Sequence, residues 1–193
     1  MNLIRLAVLL FAVIPWNASW PVELPDGYRG PPYKAPTPWT VPGAKTLHFA
    51  EEVQNLMAAQ DVLLVNVSPV TLSPPGSDGH RIWILSPDKA YTQIPGSIWL
   101  PNVGYQSLDA EMMDYFREGL QCHGGSVDRA LLLYCTADCW MSWNAVIRVT
   151  SELNYRNVYW YPFGVDGWLE AGLSLEPSIP EPFPACSGAV QPD

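Results

Sequence analysis

Residues 131 to 143, LLLYCTADCWMSW, hold the side chains best placed for chemistry. The apolar run Ala130-Leu131-Leu132-Leu133 reads as a buried strand that delivers Cys135 to its carboxyl end, and a helix-like stretch begins at about Met141. In open α/β sheets ligands sit outside the carboxyl ends of strands, where a following helix turns free N–H groups toward them. A thiol in that position feels the positive helix end and favours thiolate, the form that attacks. Cys135 is therefore the candidate nucleophile, with a buried structural cysteine as the alternative. Cys139 follows four residues later. It either closes a static disulfide with Cys135 or resolves a persulfide or mixed disulfide formed there.

Thr136, Ala137, Asp138, Trp140 and Met141 complete the candidate substrate loop. Trp140 and Trp143, three apart at a helix start, share one face. They either wall a flat apolar pocket or pack against other parts of the chain. Ser142 and Asn144 are placed to satisfy backbone groups of the loop, and Arg148, two turns in, to pair with a surface carboxylate. His48, His80 and His123 fall in loops or element ends, distant in sequence from the cysteines. No Gly-rich nucleotide loop, Ser-His-Asp order or zinc-ligand spacing is apparent, so no cofactor and no metal are expected.

The rest of the chain must position that loop. Phe49 to Gln60 has helical spacing with Val53, Leu56 and Met57 on one face. DVLLVNV (61–67) follows as a buried strand, then a Pro/Gly-rich loop (68–80) and an edge strand at 81–85. IPGSIWLPN (94–102) is a turn into a short strand, and Ser107 is the expected cap of a helix over 108–120. After the 130–135 strand and the helix to about Leu153, NVYW (157–160) is another strand and 166–172 a helical turn. Strands alternating with helices predict an α/β fold, a mostly parallel sheet with helices on both faces. Residues 20–44 and 177–193 are Pro-rich and should run as extended arms, the first pinned by Tyr28, Tyr33 and Trp39.

Residues 1–19 read as an export signal: Arg5 precedes the apolar run from Leu6 to Ile14, and Ala18-Ser19 offers a cleavage point. No later segment is apolar enough to span a membrane. The net charge of −9 argues against nucleic acid, which needs clustered Lys and Arg. Four cysteines in an exported chain suggest disulfides. Three pairings exist. Cys122–Cys186 is favoured because it ties the tail to the body, leaving Cys135 paired with Cys139 or free.

In this order the elements carry recognisable words. DVLLVNV, IPGSIWLPN, LLLYCTADC and YRNVYWYPFGVDGW resemble, in sequence, four segments of the rhodanese (sulfurtransferase) domain over residues 45–176. More narrowly, IPGSIWLPNVGY, YCTADCWMSWNA and NVYWYPFGVDGW resemble exported rhodanese-like proteins named for a Cys-Cys-Trp motif. That family is associated with alcohol catabolism dependent on pyrroloquinoline quinone. The resemblance implies a periplasmic location and Trp168 in the core.

Two departures stand out. Rhodaneses usually carry Asp-x-Arg where this chain has Asn66-Val67-Ser68, and their active loop typically ends on Arg or Thr where this chain has Trp140. Asp138 adds a negative charge that would repel thiosulfate. The leading expectation is thiol or persulfide chemistry, a sulfur transfer from a small donor. The rival expectations are a binding module for a periplasmic quinoprotein dehydrogenase or its cytochrome partner, and a thiol–disulfide oxidoreductase.

Overall fold

The computed structural model describes Val22 and residues 24–187. The expected signal over 1–19 and the last residues of the tail lie outside the described residues. Five strands form one parallel sheet: β1 (Lys45–Thr46), β2 (Val62–Asn66), β6 (Ile98–Trp99), β7 (Ala130–Tyr134) and β8 (Val158–Tyr161). Their order is β1-β8-β7-β2-β6. Two short antiparallel pairs lie outside it: β3 (Thr71–Leu72) with β4 (Trp83–Ile84), and β5 (Thr92–Gln93) with β9 (Glu176–Pro177). The expected edge strand at 81–85 is thus one side of a small hairpin with residues from the Pro/Gly-rich loop.

Alternation along the central strands sends side chains to two cores. Leu63, Val65, Leu131, Leu133, Val158 and Trp160 pack under α2 (Ala110–Cys122) and α3 (Trp140–Ser151). Leu64, Leu132, Tyr134, Tyr159 and Tyr161 pack under α1 (Ala50–Ala59) and α4 (Gly164–Glu170), with Trp168 in that core. Every residue of β7 is buried, which is why it reads as a continuous apolar run rather than an alternating one.

Helix starts follow local chemistry. The Glu52 carboxylate accepts from the N–H groups of His48 and Phe49, closing the first turn of α1. Met57, expected on the apolar face of α1, is exposed, while Val53 is fully buried. Asp109, not Ser107, caps α2: its carboxylate accepts from Met112 N at 2.8 Å, and its charge suits the positive helix end.

The N-terminal arm runs irregularly over the α3 side. Tyr28 lies over the Arg148 guanidinium at 4.2 Å, Tyr33 packs on Tyr105, and Trp39 stacks on His48 while staying largely exposed. At the other end Cys122 and Cys186 are joined in a disulfide. Among the described residues no helix is long and apolar enough to cross a membrane.

Candidate active site

From β2 the chain goes to β6 on one side, then crosses to β7 on the other. The carboxyl ends of β2 and β7 therefore flank a topological switch point, the place where open α/β sheets bind ligands. Ser68 follows β2 and Cys135 follows β7, and Ser68 Oγ donates to Cys135 Sγ at 3.5 Å. The sequence Asn66-Val67-Ser68 thus puts a hydroxyl beside the sulfur. Asn66 Oδ1 accepts from Ser68 N at 2.9 Å and fixes that turn.

The loop from Cys135 to Trp140 is held on both sides. On one, Val165 N donates to Cys135 O and Ala137 N to the Asp166 carboxylate. Gly164 makes this approach possible: its φ is +49°, and a Cβ there would stand 1.9 Å from Cys135 O. On the other side the arm binds the loop's backbone. Lys34 and Cys139 form an antiparallel bridge, Ala35 N donates to Asp138 O, and Trp140 N donates to Tyr33 O. Asp138, at φ +51°, makes the left-handed turn between these anchors, a conformation Asp tolerates better than most residues.

Cys135 and Cys139 are both free and both buried, and they line one cavity of about 310 Å³. Their environments differ. Cys139 is the N-cap residue of α3, so the positive helix end acts on it rather than on Cys135. The hydrogen bond from the Cys135 thiol chiefly holds Cys139 down, to about 7, against the opposing effect of burial. The N–H groups of Met141, Ser142 and Thr136 lower it further. Burial pushes the Cys135 thiol well up, and its bond to Cys139 adds to this, while Ser68 and the Thr136 amide offset only part. The helix end thus favours the charged form at Cys139, four residues beyond Cys135, the expected nucleophile. The more readily ionised sulfur is Cys139, because the strand ends one turn before the helix begins.

The other loop residues divide. Thr136 and Met141 line the cavity; Ala137, Asp138 and Trp140 do not. Asp138 is exposed, so its charge faces solvent, and the charged residues on the cavity wall are Lys34 and Lys89. Trp140 and Trp143 also lie outside the cavity. Their indole N–H groups donate to Pro36 O and Thr40 O, so both pack against the arm.

Ser142 Oγ donates to Cys139 O, and Asn144 exchanges bonds with Arg29 N and O while donating to Gly104 O. Arg148 is itself buried, and the surface carboxylate expected to pair with it is that of Glu152. Arg148 donates to Val103 O, Tyr105 O and Gln106 O, and the Glu152 carboxylate stands 3.8 Å away. Among the described residues no group of three or more His, Cys, Asp or Glu gathers to hold a metal. Ser68, Lys34, Lys89, Tyr91 and Trp99 also line the cavity, and sequence reasoning named none of them as site residues. The one signal for Ser68 was its place at the end of a strand, where the resemblance expects an arginine.

No family model matches the chain, and no curated protein matches it. Solved structures are similar to it at low identity. A thiosulfate sulfurtransferase from Pseudomonas aeruginosa is 18% identical, with 77% of this chain and 22% of that one covered and a TM-score of 0.49. The 3-mercaptopyruvate sulfotransferase SseA from Escherichia coli, described as having the rhodanese fold, is 14% identical over 77% of this chain and 58% of that one, TM-score 0.43. EanB, in a persulfide tetrahedral intermediate state with ergothioneine, is 20% identical over 78% of this chain and 36% of that one, TM-score 0.46. The chain spans less than two thirds of each of these proteins.

Proposed function

We propose that this protein carries sulfane sulfur on a cysteine pair, with Cys139 attacking and Cys135 resolving. One observation carries the reading: two free thiols share one cavity at the sheet's switch point, and one of them is the N-cap residue of α3. The Cys139 thiolate attacks the terminal sulfur of a donor, forming an S–S bond while the donor's remaining part leaves with the electron pair. The persulfide then passes its outer sulfur to an acceptor nucleophile. In its absence Cys135, once deprotonated, attacks Cys139 Sγ, forming the Cys135–Cys139 disulfide and expelling hydrosulfide. An external dithiol must then reduce that disulfide.

Intact mass after exposure to a sulfane donor and alkylation tests this. Cys135→Ser should retain a persulfide on Cys139 longer than the wild type, and Cys139→Ser should acquire none. Sulfur carried by Cys135 in the Cys139→Ser variant would reverse the two roles. Absence of sulfur on both cysteines would remove the reading altogether.

The same pair also suits thiol–disulfide exchange, since two free thiols lining one cavity are the reduced form of a disulfide. A measurable, relatively oxidising reduction potential without persulfide formation would favour that alternative. Export to the periplasm is supported by the Arg5 to Ser19 composition and by the Cys122–Cys186 disulfide, a bond that persists in oxidising compartments. A place beside quinone-dependent alcohol catabolism, with a quinoprotein dehydrogenase or its cytochrome as partner, rests on the Cys-Cys-Trp resemblance. Deletion of the gene in a strain growing on alcohols tests it: normal growth and dehydrogenase activity would reject the link.

A further inference from the structure

The cavity over the cysteines is built for more than a small inorganic donor. At a water's share of about 30 Å³, a volume of about 310 Å³ has space well beyond an inorganic oxyanion. Among the described residues its charged wall is one-signed: Lys34 and Lys89 line it, and no Asp or Glu does. Lys34 comes from the N-terminal arm, where its ammonium donates to Ala137 O at 2.5 Å and keeps two further N–H donors. Lys89 comes from the segment before β5, over the Tyr91 ring at 4.9 Å. Neither belongs to the loop that carries the thiols. The remaining wall is largely apolar. Tyr91 and Trp99 lie stacked, with ring centroids 5.4 Å apart, and Met141 and Val165 add aliphatic surface.

We infer that this site takes an organic anion with an apolar body, its charge held by Lys34 and Lys89 and its body laid against Tyr91, Trp99 and Met141. This names the substrate class for the cavity in the reading above and rests on that cavity being the entrance to the thiols. Small-molecule sites of this kind pair an apolar lining with a few charged groups that set orientation. The arm is then part of the recognition machinery: its Lys34 selects charge, while the β5–β6 region supplies the aromatic wall.

Calorimetry with three probes on the full chain tests this without any sulfur chemistry. Benzoate carries both charge and body, benzamide the body alone, and acetate the charge alone. Benzoate should bind roughly fivefold or more tightly than either, the gain expected of a charge-assisted contact at a partly exposed site. Lys34→Gln and Lys89→Gln should each weaken benzoate and leave benzamide unchanged. Lys89→Gln keeps the test open should the Lys34 variant disturb the loop through its bond to Ala137. Benzoate binding no tighter than acetate or benzamide, or variants that weaken benzamide equally, would overturn the inference. Persulfide formation is measured separately, so a failure of sulfur transfer and a failure of anion recognition are distinct results.

Discussion

Cys139 is bridged through its backbone to Lys34, a residue 105 positions earlier, while its sulfur faces Cys135. The more acidic thiol is thus fixed from the arm side, and the less acidic one from the sheet side through Ser68.

The pH dependence of alkylation should separate them. With Cys139 held at about 7, its reaction with iodoacetamide should be slow in acid, rise through neutrality and level off above it. Removing the donor in Cys135→Ala should move that rise upward, toward the ordinary thiol range. A rise that stays in place would show that Cys135 does not hold the proton facing Cys139.

Ser68→Ala should move the other titration. Ser68 lowers Cys135 against the larger effect of burial, so its loss should push Cys135 higher still. Thiolate absorbance during a pH titration reads this, and an unchanged or earlier second step would contradict it.

Gly164→Ala should disable the loop. The added Cβ meets Cys135 O, and the positive φ adds backbone strain of order 1–3 kcal/mol. A loss of at least about 2 kcal/mol in denaturant stability, with slower thiol labelling, is expected. Wild-type stability would mean that α4 can withdraw from the loop without cost.

Asn144→Ala tests the arm. Three buried or half-buried hydrogen bonds to Arg29 and Gly104 disappear, leaving backbone groups unpaired. A loss of about 2–3 kcal/mol follows from such orphaned groups, together with faster proteolysis within residues 24–44. If stability falls but the arm is cleaved no faster, these bonds secure α3 rather than the arm.

The disulfide should matter to stability more than to chemistry. Cys122 and Cys186 are 64 residues apart, and closing a loop of that length is worth about 4 kcal/mol in the chain-entropy account. The double serine variant should unfold at lower denaturant while keeping the Cys139 labelling profile. A changed profile would reveal coupling between the tail and the cavity.

The central strands are legible in the sequence because buried parallel strands leave continuous apolar runs, as in LLLY and VYWY. Four of the six two-residue strands, β1, β3, β5 and β9, carry no period to read, and only their partners define them. Ser107 and Asp109 are comparable caps by type, and the hydrogen bond from Met112 N marks the second as the cap. The carboxylate partner of Arg148 is legible but the burial of Arg148 is not, because a charged residue on a helix usually faces water; here three loop carbonyls replace that water. The two cysteines stand out in the sequence through their strand-to-helix position. Lys34 and Lys89 do not, since an isolated lysine in a loop has no pattern and becomes part of a wall only through long-range folding.

Residues 33 to 36 leave the ribosome long before the segment they clasp; Pro36 and Trp140, joined by one hydrogen bond, are 104 positions apart. A nascent chain therefore cannot finish its sulfur centre until the elements that hold the loop, through Asp166, have been made. Maturation of the reactive centre is coupled to late, long-range folding, and a shortened or misthreaded leader region would yield a folded sheet with an unfinished pocket.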